Sequence, residues 1–385
     1  MATGKTILVL GGGTGGIVAA SRLRKNLPRE HRVVLIERSA DYVFEPSLLW
    51  LMTGLRRREN ISRPLAKLEK KGIELVRGDI EGIEPASCTV KVNGTELAGD
   101  YLVIALGAEL APELVPGLAE AGHNLYALRG AERLRDTRLT LTAGRIVVLV
   151  SAMPFKCPAA PYEAAMLLED DLRKRQVRDR FELALYTPES GPMPVAGPEV
   201  SKQLRQMIEA KGIAFHPEHT VAQVDPSALR ITFTNGVTTA FDLLVYVPPH
   251  RAPRVVVDSG LTGESGWIPV DRQTLKTRFP NVVAIGDVTG IMLAMGKPLP
   301  KAGVLAHGEA ELVANNLVHV ITGKGTPRQF DGYGECFIET GDGKAGYGSG
   351  NFFAEPTPEI KLRPPSRIQH LAKVAFEKYW LFKWF

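Results

Sequence analysis

The chain has 385 residues, 44% of them apolar, which is enough for two or three globular domains. Its formal net charge of +5 is small and its basic residues are scattered, which argues against a nucleic-acid-binding protein. Three cysteines without CxxC spacing argue against a metal site or a disulfide-stapled secreted domain. No segment has the roughly 18–20 uninterrupted apolar residues of a membrane span. The N-terminus leads directly into a predicted strand, so no signal peptide is predicted.

The first predicted strand, Thr6–Leu10, leads into a glycine-rich turn, a helical stretch and a second strand that ends in Glu37. The turn reads Gly11-Gly-Gly13-Thr14-Gly15-Gly16 and matches GxGxxG. In this motif the first glycine makes the tight turn, the second lets the backbone approach a pyrophosphate, and the third lets the helix pack on the strand. Glu37 follows Gly16 by 21 residues and is placed to accept from a ribose hydroxyl. Together these features predict a dinucleotide-binding Rossmann unit rather than a glycine-rich surface turn.

A third apolar segment, Asp100–Gly107, closes this first half of the chain. A similar segment, Asp242–Pro249, closes a second half, and each half contains a predicted hairpin, with turns at Asn93-Gly94 and Asn235-Gly236. The chain therefore shows a coarse internal repeat. Arg38, Ile80 and Gly107 are further candidate cofactor contacts in the first half.

The second half opens with an apolar strand from Arg145, where a second Gly-rich turn is expected. The turn instead carries Met153, Phe155, Lys156 and Cys157, which do not let bare backbone approach a pyrophosphate. A helix is predicted just after the thiol, and its first amides together with Lys156 are expected to favour the reactive thiolate of Cys157. This turn therefore predicts a loss of dinucleotide binding and a gain of thiol chemistry.

A strand ending in Gly286-Asp287 lies far down the chain, within Phe279–Asp287. In flavoproteins with two dinucleotide-binding domains, such an aspartate accepts from the ribityl chain of the flavin while the next helix N-terminus faces the pyrophosphate. Taken alone, Asp287 would equally be a helix cap. In combination with the first turn, it favours FAD over NAD as the cofactor.

The remaining cysteines are Cys336, in a predicted strand of a C-terminal domain, and Cys88, in an early hairpin without a supporting motif. An isolated cysteine is by default an inert, buried side chain. We expect that default for Cys88 and redox chemistry for the other two.

Several segments resemble the sulfide:quinone oxidoreductases and the related flavocytochrome c sulfide dehydrogenase flavoproteins. The most specific is Phe155–Glu163; the others are Thr187–Gly197, Pro300–Gly303 and the tail Leu371–Phe385, so the resemblance covers essentially the whole chain. It implies an FAD-dependent enzyme that oxidises sulfide to zero-valent sulfur or polysulfide and passes the electrons to quinone. It also implies that Cys157 and Cys336 form a redox pair beside the flavin. Lys301 would lie near the pyrimidine end of the flavin ring, and Glu163 would be a proton acceptor near the cysteine.

The sequence departs from this family at two points. Many members have a third functional cysteine in the region corresponding to residues 115–135, where this chain has only His123 nearby. The flavocytochrome branch attaches its flavin through a cysteine shortly after the second strand, but Asp41–Pro46 contains none. We therefore expect FAD to be bound non-covalently.

The C-terminal tail is predicted to be an amphipathic helix that binds a membrane surface. Its apolar residues recur at helical spacing, its tryptophans Trp380 and Trp384 lie in the last six residues, and lysines and arginines supply positive charge. The apolar set is Ile368, Leu371, Ala375, Tyr379 and Phe382, with His370, Lys373 and Glu377 elsewhere on the helix. Removing this helix is expected to leave folding intact. The alternative is a helix that packs on its own core or on a second subunit, and a homo-oligomer remains open.

Tyr347, Phe352 and Phe353 are candidates to line a quinone slot, or otherwise aromatic core residues.

The fold class predicted is α/β with two Rossmann-like domains of the FAD/NAD(P) type, the first interrupted by the second, and a small C-terminal domain. The domains are residues 1–108 with 268–325 (FAD binding), 109–267 (active-site cysteine) and 326–385 (quinone and membrane interaction). Expected partners are sulfide, quinone and the cytoplasmic membrane, to which the protein would bind peripherally. Three alternatives stay open: a type II NADH:quinone dehydrogenase, a cytochrome-linked sulfide dehydrogenase flavoprotein, and a non-catalytic FAD-binding redox sensor.

Overall fold

The computed structural model describes residues 4–385. Residues 1–3 belong to the N-terminal segment from which no signal peptide is predicted, and they lie outside the described residues.

The first sheet consists of five parallel strands, and its central strands are buried on both faces because helices and a small antiparallel sheet cover it. In spatial order the strands are Val282–Ala284, Tyr101–Ile104, Thr6–Leu10, Arg32–Glu37 and Glu74–Arg77. Helices Thr14–Asn26 and Gly303–Thr322 pack on one face. The edge strand Val282–Ala284 follows all strands of the second sheet in the sequence. The first Rossmann-like unit is therefore discontinuous, with the second unit inserted into it.

The second sheet repeats this plan. Its parallel strands, in spatial order, are His123–Asn124, Leu243–Val247, Gly144–Val150, Phe181–Tyr186 and Ile213–His216. Helices Leu128–Thr140, Ala160–Lys174 and Pro198–Glu209 cover one face. A three-stranded antiparallel sheet, Val221–Asp225, Arg230–Phe233 and Thr238–Ala240, covers the other. The internal repeat predicted from the sequence is therefore present.

The corresponding antiparallel sheet of the first half comprises Ile80–Glu84, Thr89–Val92 and Thr95–Ala98. Its tight turn is formed by Asn93 and Gly94, whose φ angles of 47° and 77° are both positive. The predicted turn is thus confirmed, because asparagine and glycine tolerate this conformation better than other residues.

A third sheet precedes the C-terminal helix and contains Cys336. Its antiparallel strands are Tyr333–Gly341, Lys344–Asn351 and Glu359–Ser366, and the helix spans Arg367–Lys383. Ser366 caps that helix by accepting from the Gln369 amide at 3.3 Å. The first strand packs against helix Ala160–Lys174, which places Cys336 close to the segment of Cys157.

The α/β class with Rossmann-type sheets is confirmed, and the division at residues 108, 267 and 325 remains a proposal. The remaining helices are Leu48–Met52, Arg58–Ile61, Leu118–Ala121 and Arg254–Asp258, with 3₁₀ turns at Glu45–Ser47, Leu65–Lys71, Pro112–Leu114, Arg178–Arg180, Pro194–Ala196 and Gly286–Val288. The remaining strands form three short pairs: Asp41–Val43 with Ser62–Pro64, Glu109–Leu110 with His250–Arg251, and Ile268–Pro269 with Thr289–Gly290.

Candidate functional site

The first glycine turn has the shape that a pyrophosphate requires. Gly11 has a φ of +101°, and a Cβ on Gly16 would lie 1.8 Å from the Gly11 carbonyl oxygen, so both positions require glycine. A Cβ on Gly13 would meet nothing within 4 Å. Helix Thr14–Asn26 starts here without a side-chain cap and without an acidic residue in its first turn. Its first amides, including those of Gly15 and Gly16, are therefore available to an anion.

Glu37 ends the second strand beside this turn. Its carboxylate accepts from the Gly12 amide at 2.7 Å and from the Ser39 amide at 2.8 Å. These bonds fix the carboxylate next to the glycines, where a dinucleotide ribose would lie. Arg38 is exposed next to it, and Ile80 is half-buried against the core of the first sheet. Gly107 follows the strand Tyr101–Ile104.

Asp287 supplies the second part of the cofactor site. It lies in the turn Gly286–Val288 directly after the edge strand of the first sheet. Its Oδ1 is buried and has no hydrogen-bond partner among the described residues, and burial raises the pKa of its carboxyl. A buried, unpaired acceptor requires a donor, and a ribityl hydroxyl is such a donor. Helix Gly303–Thr322, which also starts without a cap, lies beside it. These residues fit FAD.

Lys301 is held against this aspartate. Its ammonium donates to the Asp287 carbonyl at 2.6 Å and to the Thr289 carbonyl at 3.0 Å, and it lies 3.4 Å from the centre of the Trp267 ring. Burial lowers the pKa of Lys301 to about 8, although the negative charge of Asp287 opposes the shift. The charge of this lysine therefore changes close to neutral pH.

Glu309 is a functional candidate that the sequence did not reveal. It is buried on helix Gly303–Thr322 and accepts from the Gly286 amide at 2.6 Å. Burial raises its pKa to about 7, and the neighbouring Asp287 acts in the same direction. No motif marks Glu309, because only the packing of its helix on the turn at Gly286 brings it into the site.

Cys157 lies in the loop that replaces the second glycine turn, three residues before helix Ala160–Lys174. Its amide donates to the Lys301 carbonyl at 2.6 Å, and its carbonyl accepts from the Tyr126 hydroxyl at 3.1 Å. This hydrogen bond joins the loop of Cys157, in the second Rossmann-like unit, to the segment of Lys301, which belongs to the first. Each of the two units therefore contributes one side of the site.

The expectation that Cys157 is an activated thiolate is wrong for the protein as described. Burial raises its pKa well above the ordinary value, and the charges of Cys336 and Glu163 add to the shift. Lys156, expected to stabilise the thiolate, instead forms an ion pair with Glu45 at 2.7 Å. The sequence analysis considered only the helix amides and the adjacent lysine, whereas desolvation dominates.

Cys336 faces the same region from the strand Tyr333–Gly341. Part of its side chain is exposed, but the surrounding chain segments desolvate the sulfur and raise the pKa of Cys336 to about 12, with Glu163 as the second cause. Both cysteines are free thiols here, and the charge of Cys336 raises the pKa of Cys157, so the two sulfurs are electrostatic neighbours. Cys88 lies apart from them, buried in the core of the first half.

A buried charge cluster lies next to the two thiols. Glu163 accepts through Oε1 from the Glu339 amide at 2.8 Å and from the Lys373 ammonium at 2.9 Å. The Glu339 carboxylate is 3.0 Å from His370 Nδ1. The Lys373 ammonium also lies 5.1 Å from the centre of the Trp50 ring, and it acts to lower the pKa of both thiols. We call these four residues, Glu163, Glu339, His370 and Lys373, the inner charge cluster.

The C-terminal helix packs on the protein through charged residues and tryptophans, and not through the apolar residues that recur at helical spacing. Its charged residues Lys373 and Glu377 are buried, and so are Trp380 and Trp384, which pack into the core of the first half. The prediction that both tryptophans and Lys373 contact a headgroup region is therefore wrong. Their burial also argues against the expectation that the helix can be removed without affecting folding. Helical spacing identified which residues share a face but not which face points inward.

The predicted apolar face is the exposed one. Ile368, Leu371, Tyr379 and Phe382 are 80%, 63%, 56% and 85% exposed, and Ala375 is also exposed. We call these five residues the apolar stripe. No helix within residues 4–385 combines the length and apolar character needed to cross a bilayer. The same residues contain no cluster of three or more His, Cys, Asp or Glu side chains suited to a metal ion.

The three aromatic residues predicted to line a quinone slot are not gathered into one group. Tyr347 packs against Phe337 with ring centres 5.2 Å apart, and its hydroxyl bonds to Glu335. Phe353 lies edge-on to Phe330 at 5.6 Å, whereas Phe352 lies beside Gly334. Their role in quinone binding stays a prediction.

A different aromatic group forms where the segment after the second strand meets the C-terminal helix. The ring centre of Phe44 lies 6.0 Å from that of Phe376 and 6.1 Å from that of Trp380. The ring of Tyr42 stacks on that of Phe385, with centres 5.2 Å apart. These residues are more than 300 positions apart in the sequence, so local patterns could not reveal the group.

Comparisons with known proteins cover nearly the whole chain. Residues 5–310 match the family described as pyridine nucleotide-disulphide oxidoreductase. The chain is 30% identical to the sulfide-quinone reductase of Aquifex aeolicus, over 98% of this chain and 91% of that protein. It is 25% identical to the mitochondrial sulfide:quinone oxidoreductase of Mus musculus, over 91% and 79% of the two chains. The crystal structure of the Aquifex aeolicus sulfide:quinone oxidoreductase superposes with a TM-score of 0.89 at 26% identity, covering 99% of this chain and 91% of that one.

Proposed function

Because this chain belongs to the pyridine nucleotide-disulphide oxidoreductases and, among them, to the sulfide:quinone oxidoreductase family, we propose that it oxidises sulfide through a Cys157–Cys336 pair and delivers the electrons to a membrane quinone. The chain is an FAD-dependent oxidoreductase. Its relatives support oxidation of sulfide with quinone as the electron acceptor. The observation that carries the cysteine assignment is the convergence of both thiols on the inner charge cluster.

The residues that would hold FAD are the first glycine turn, Glu37, Asp287 and Lys301. When bound, FAD accepts a pair of electrons from one substrate and releases it to a second. Asp41–Pro46 contains no cysteine, which supports non-covalent binding.

The thiol step is ordinary thiol–disulfide exchange. In the oxidised pair, the sulfur of hydrosulfide attacks Cys157, the Cys157–Cys336 bond breaks, and Cys336 leaves as a thiolate. Cys157 then carries the sulfide sulfur as a persulfide, so the incoming sulfur is oxidised as the disulfide is reduced. Transfer of that sulfur to a growing sulfur chain or an acceptor thiol leaves Cys157 as a thiolate. Re-forming the Cys157–Cys336 bond releases two electrons, and bound FAD would be the acceptor that passes them on to quinone.

The inner charge cluster has two roles in this step. When the attacking species is neutral hydrogen sulfide, Glu163 accepts its proton. Lys373 acts against the high pKa of the thiols, because its positive charge stabilises the Cys336 thiolate that leaves. Burial alone would make that thiolate a poor leaving group.

We also propose that the apolar stripe enters the interfacial region of a bilayer, so that the protein is a peripheral membrane protein on the cytoplasmic membrane. Burial of one such side chain contributes about 1.5–3 kcal/mol. Four strongly exposed apolar side chains on one helix face therefore suffice to hold the protein at a surface. A homo-oligomer is compatible with the same stripe but has no separate support.

Anaerobic titration with sulfide while following the visible flavin spectrum tests the proposal. We expect full flavin reduction by sulfide and reoxidation by a short-chain quinone, with no such reduction in Cys157→Ser. Flavin that stays oxidised with excess sulfide would contradict the proposal, and rapid reduction of the flavin by NADH would favour the type II NADH dehydrogenase alternative.

Membrane binding is tested separately by liposome flotation. Ile368→Ser/Phe382→Ser should float less than the unmodified protein while keeping sulfide-driven flavin reduction. Leu114→Ser/Leu139→Ser is the control, because these two leucines are also exposed, at 58% and 57%, and lie outside the stripe. Equal loss of flotation in both double variants would contradict a specific role of the stripe.

A further inference from the structure

A cleft of about 730 Å³ lies between the segment Leu55–Lys67 and the C-terminal helix. One wall carries Leu55, Arg56, Glu59, Asn60, Arg63 and Lys67, and the other carries Val374, Glu377, Lys378, Leu381, Phe382 and Phe385. Neither the thiol site nor the candidate FAD residues contribute to it. The thiol chemistry of the proposed function does not use it, although Phe382 is shared with the apolar stripe.

The charges of the cleft have an excess of unpaired cations. Arg56 and Glu377 neutralise each other in an ion pair at 2.8 Å. Among the described residues, Arg63, Lys67 and Lys378 have no carboxylate partner, and Arg63 donates only to backbone carbonyls. Glu59 is the one remaining acid in the lining, so the cleft has a net charge of +2. This arrangement favours an anionic ligand.

The wall formed by the C-terminal helix is mostly apolar, apart from Glu377 and Lys378, and it continues into the apolar stripe. Phe382 belongs to both surfaces and is 85% exposed, and Leu381, Val374 and Phe385 extend the apolar wall inward. A ligand that satisfies both walls has an anionic headgroup and an aliphatic chain that runs along the stripe. Free phosphate would leave the apolar wall unused, and a quinone would leave the three cations unpaired.

We propose that this cleft binds the phosphate headgroup of an anionic phospholipid of the bilayer. The inference rests on the proposed docking of the apolar stripe and makes it specific for lipid charge. The buried pair Arg56–Glu377, with Ser47 donating to Glu377 at 3.0 Å, fixes the helix against the other wall, so the cleft is preformed.

The first test compares binding of the FAD-loaded protein to vesicles of phosphatidylcholine alone and with phosphatidylglycerol added. Arg63→Gln/Lys67→Gln/Lys378→Gln should bind the anionic vesicles about tenfold or more weakly than the unmodified protein. Lys202→Gln/Arg230→Gln/Lys324→Gln removes the same charge from exposed positions elsewhere and should stay within about twofold. Equal weakening of both triple variants would overturn the proposal in favour of diffuse attraction.

The second test uses calorimetric titration with water-soluble dihexanoyl-phosphatidylglycerol. We expect saturable binding that the cleft variant loses, and no binding of dihexanoyl-phosphatidylcholine. Comparable affinity for inorganic phosphate or for the phosphatidylcholine, or displacement of the lipid by a short-chain quinone, would overturn the proposal. Sulfide-driven flavin reduction should be unchanged in the cleft variant. If the unmodified protein shows no sulfide-driven flavin reduction, the proposed function is refuted, but the lipid result still stands.

Discussion

Replacement of Lys373 by methionine isolates the contribution of the inner charge cluster. Methionine keeps much of the side-chain volume but leaves Glu163 and Glu339 buried without their shared cation. Removal of one partner of a buried ion pair costs about 3–5 kcal/mol, because the remaining charge is desolvated and uncompensated. We therefore expect Lys373→Met to lower the free energy of unfolding by about this amount.

The charge of Lys373 itself should stay constant between about pH 6 and 9. Burial acts to lower the pKa of Lys373, but Glu163 and Glu339 outweigh it and the net shift is upward. A lysine whose pKa is raised in the folded protein contributes its full stability below the ordinary lysine pKa, about 10.4, and loses it only as pH rises through the folded value. The lysine is therefore charged in both states throughout the range measured.

Urea unfolding of the FAD-loaded protein provides the assay, with Lys378→Met as the control. Lys378 lies on the exposed side of the same helix, and its replacement should change stability by less than about 0.5 kcal/mol. The double variant Glu163→Gln/Lys373→Met removes both charges and should recover at least half of the loss, because the Glu339 amide can still donate to glutamine. The alkylation rate of the reduced thiols at a fixed pH gives a second readout, and it should fall in Lys373→Met because Lys373 acts to lower the pKa of both thiols. A stability loss below about 1 kcal/mol together with an unchanged alkylation rate would refute the reasoning.

Three further predictions concern the site itself. Cys157→Ser and Cys336→Ser should each keep FAD but abolish sulfide-driven flavin reduction, whereas Cys88→Ser should stay active; activity of either of the first two variants would exclude the proposed disulfide. NADH at micromolar concentration should not bleach the flavin in stopped-flow measurements, because the second turn lacks the glycines that a pyrophosphate requires. Glu309 has a folded pKa of about 7, above its unfolded value, so the folded state binds the extra proton and stability should fall as pH rises from about 4.5 to 7. For Lys301, with a folded pKa of about 8, stability should instead rise between about pH 8 and 10.5. Glu309→Gln and Lys301→Gln should each flatten the corresponding part of the urea-midpoint profile, and unchanged profiles would contradict the assignments.

The sequence predicted those parts of the site that depend on local backbone shape. The turn Gly11–Gly16, the carboxylate of Glu37 and the strand leading to Asp287 are each determined within one strand–turn unit, and each lies where it was expected. The position of Cys157 before a helix was predictable for the same reason.

The parts that the sequence did not predict depend on contacts between distant segments. Lys373 meets Glu163 across 210 positions of sequence, and its direction follows from how the last helix packs rather than from its periodicity. The raised pKa values of the two thiols have the same origin, because desolvation is produced by the whole surrounding chain and not by the neighbouring residues.

The position of Lys373 also determines when, during synthesis, the protein can complete its active site. Domains of a nascent chain fold from the N-terminus as they emerge from the ribosome. Both Rossmann-type sheets, with Cys157 and Cys336, precede residue 337, but the cation of the inner charge cluster belongs to the helix Arg367–Lys383. A ribosome-bound chain therefore has Glu163 and Glu339 without their counter-charge until that helix has been synthesised. A chain terminated before that helix would lack both the lysine beside the thiols and the apolar stripe, so it would lose the cation of the site and its proposed membrane surface together.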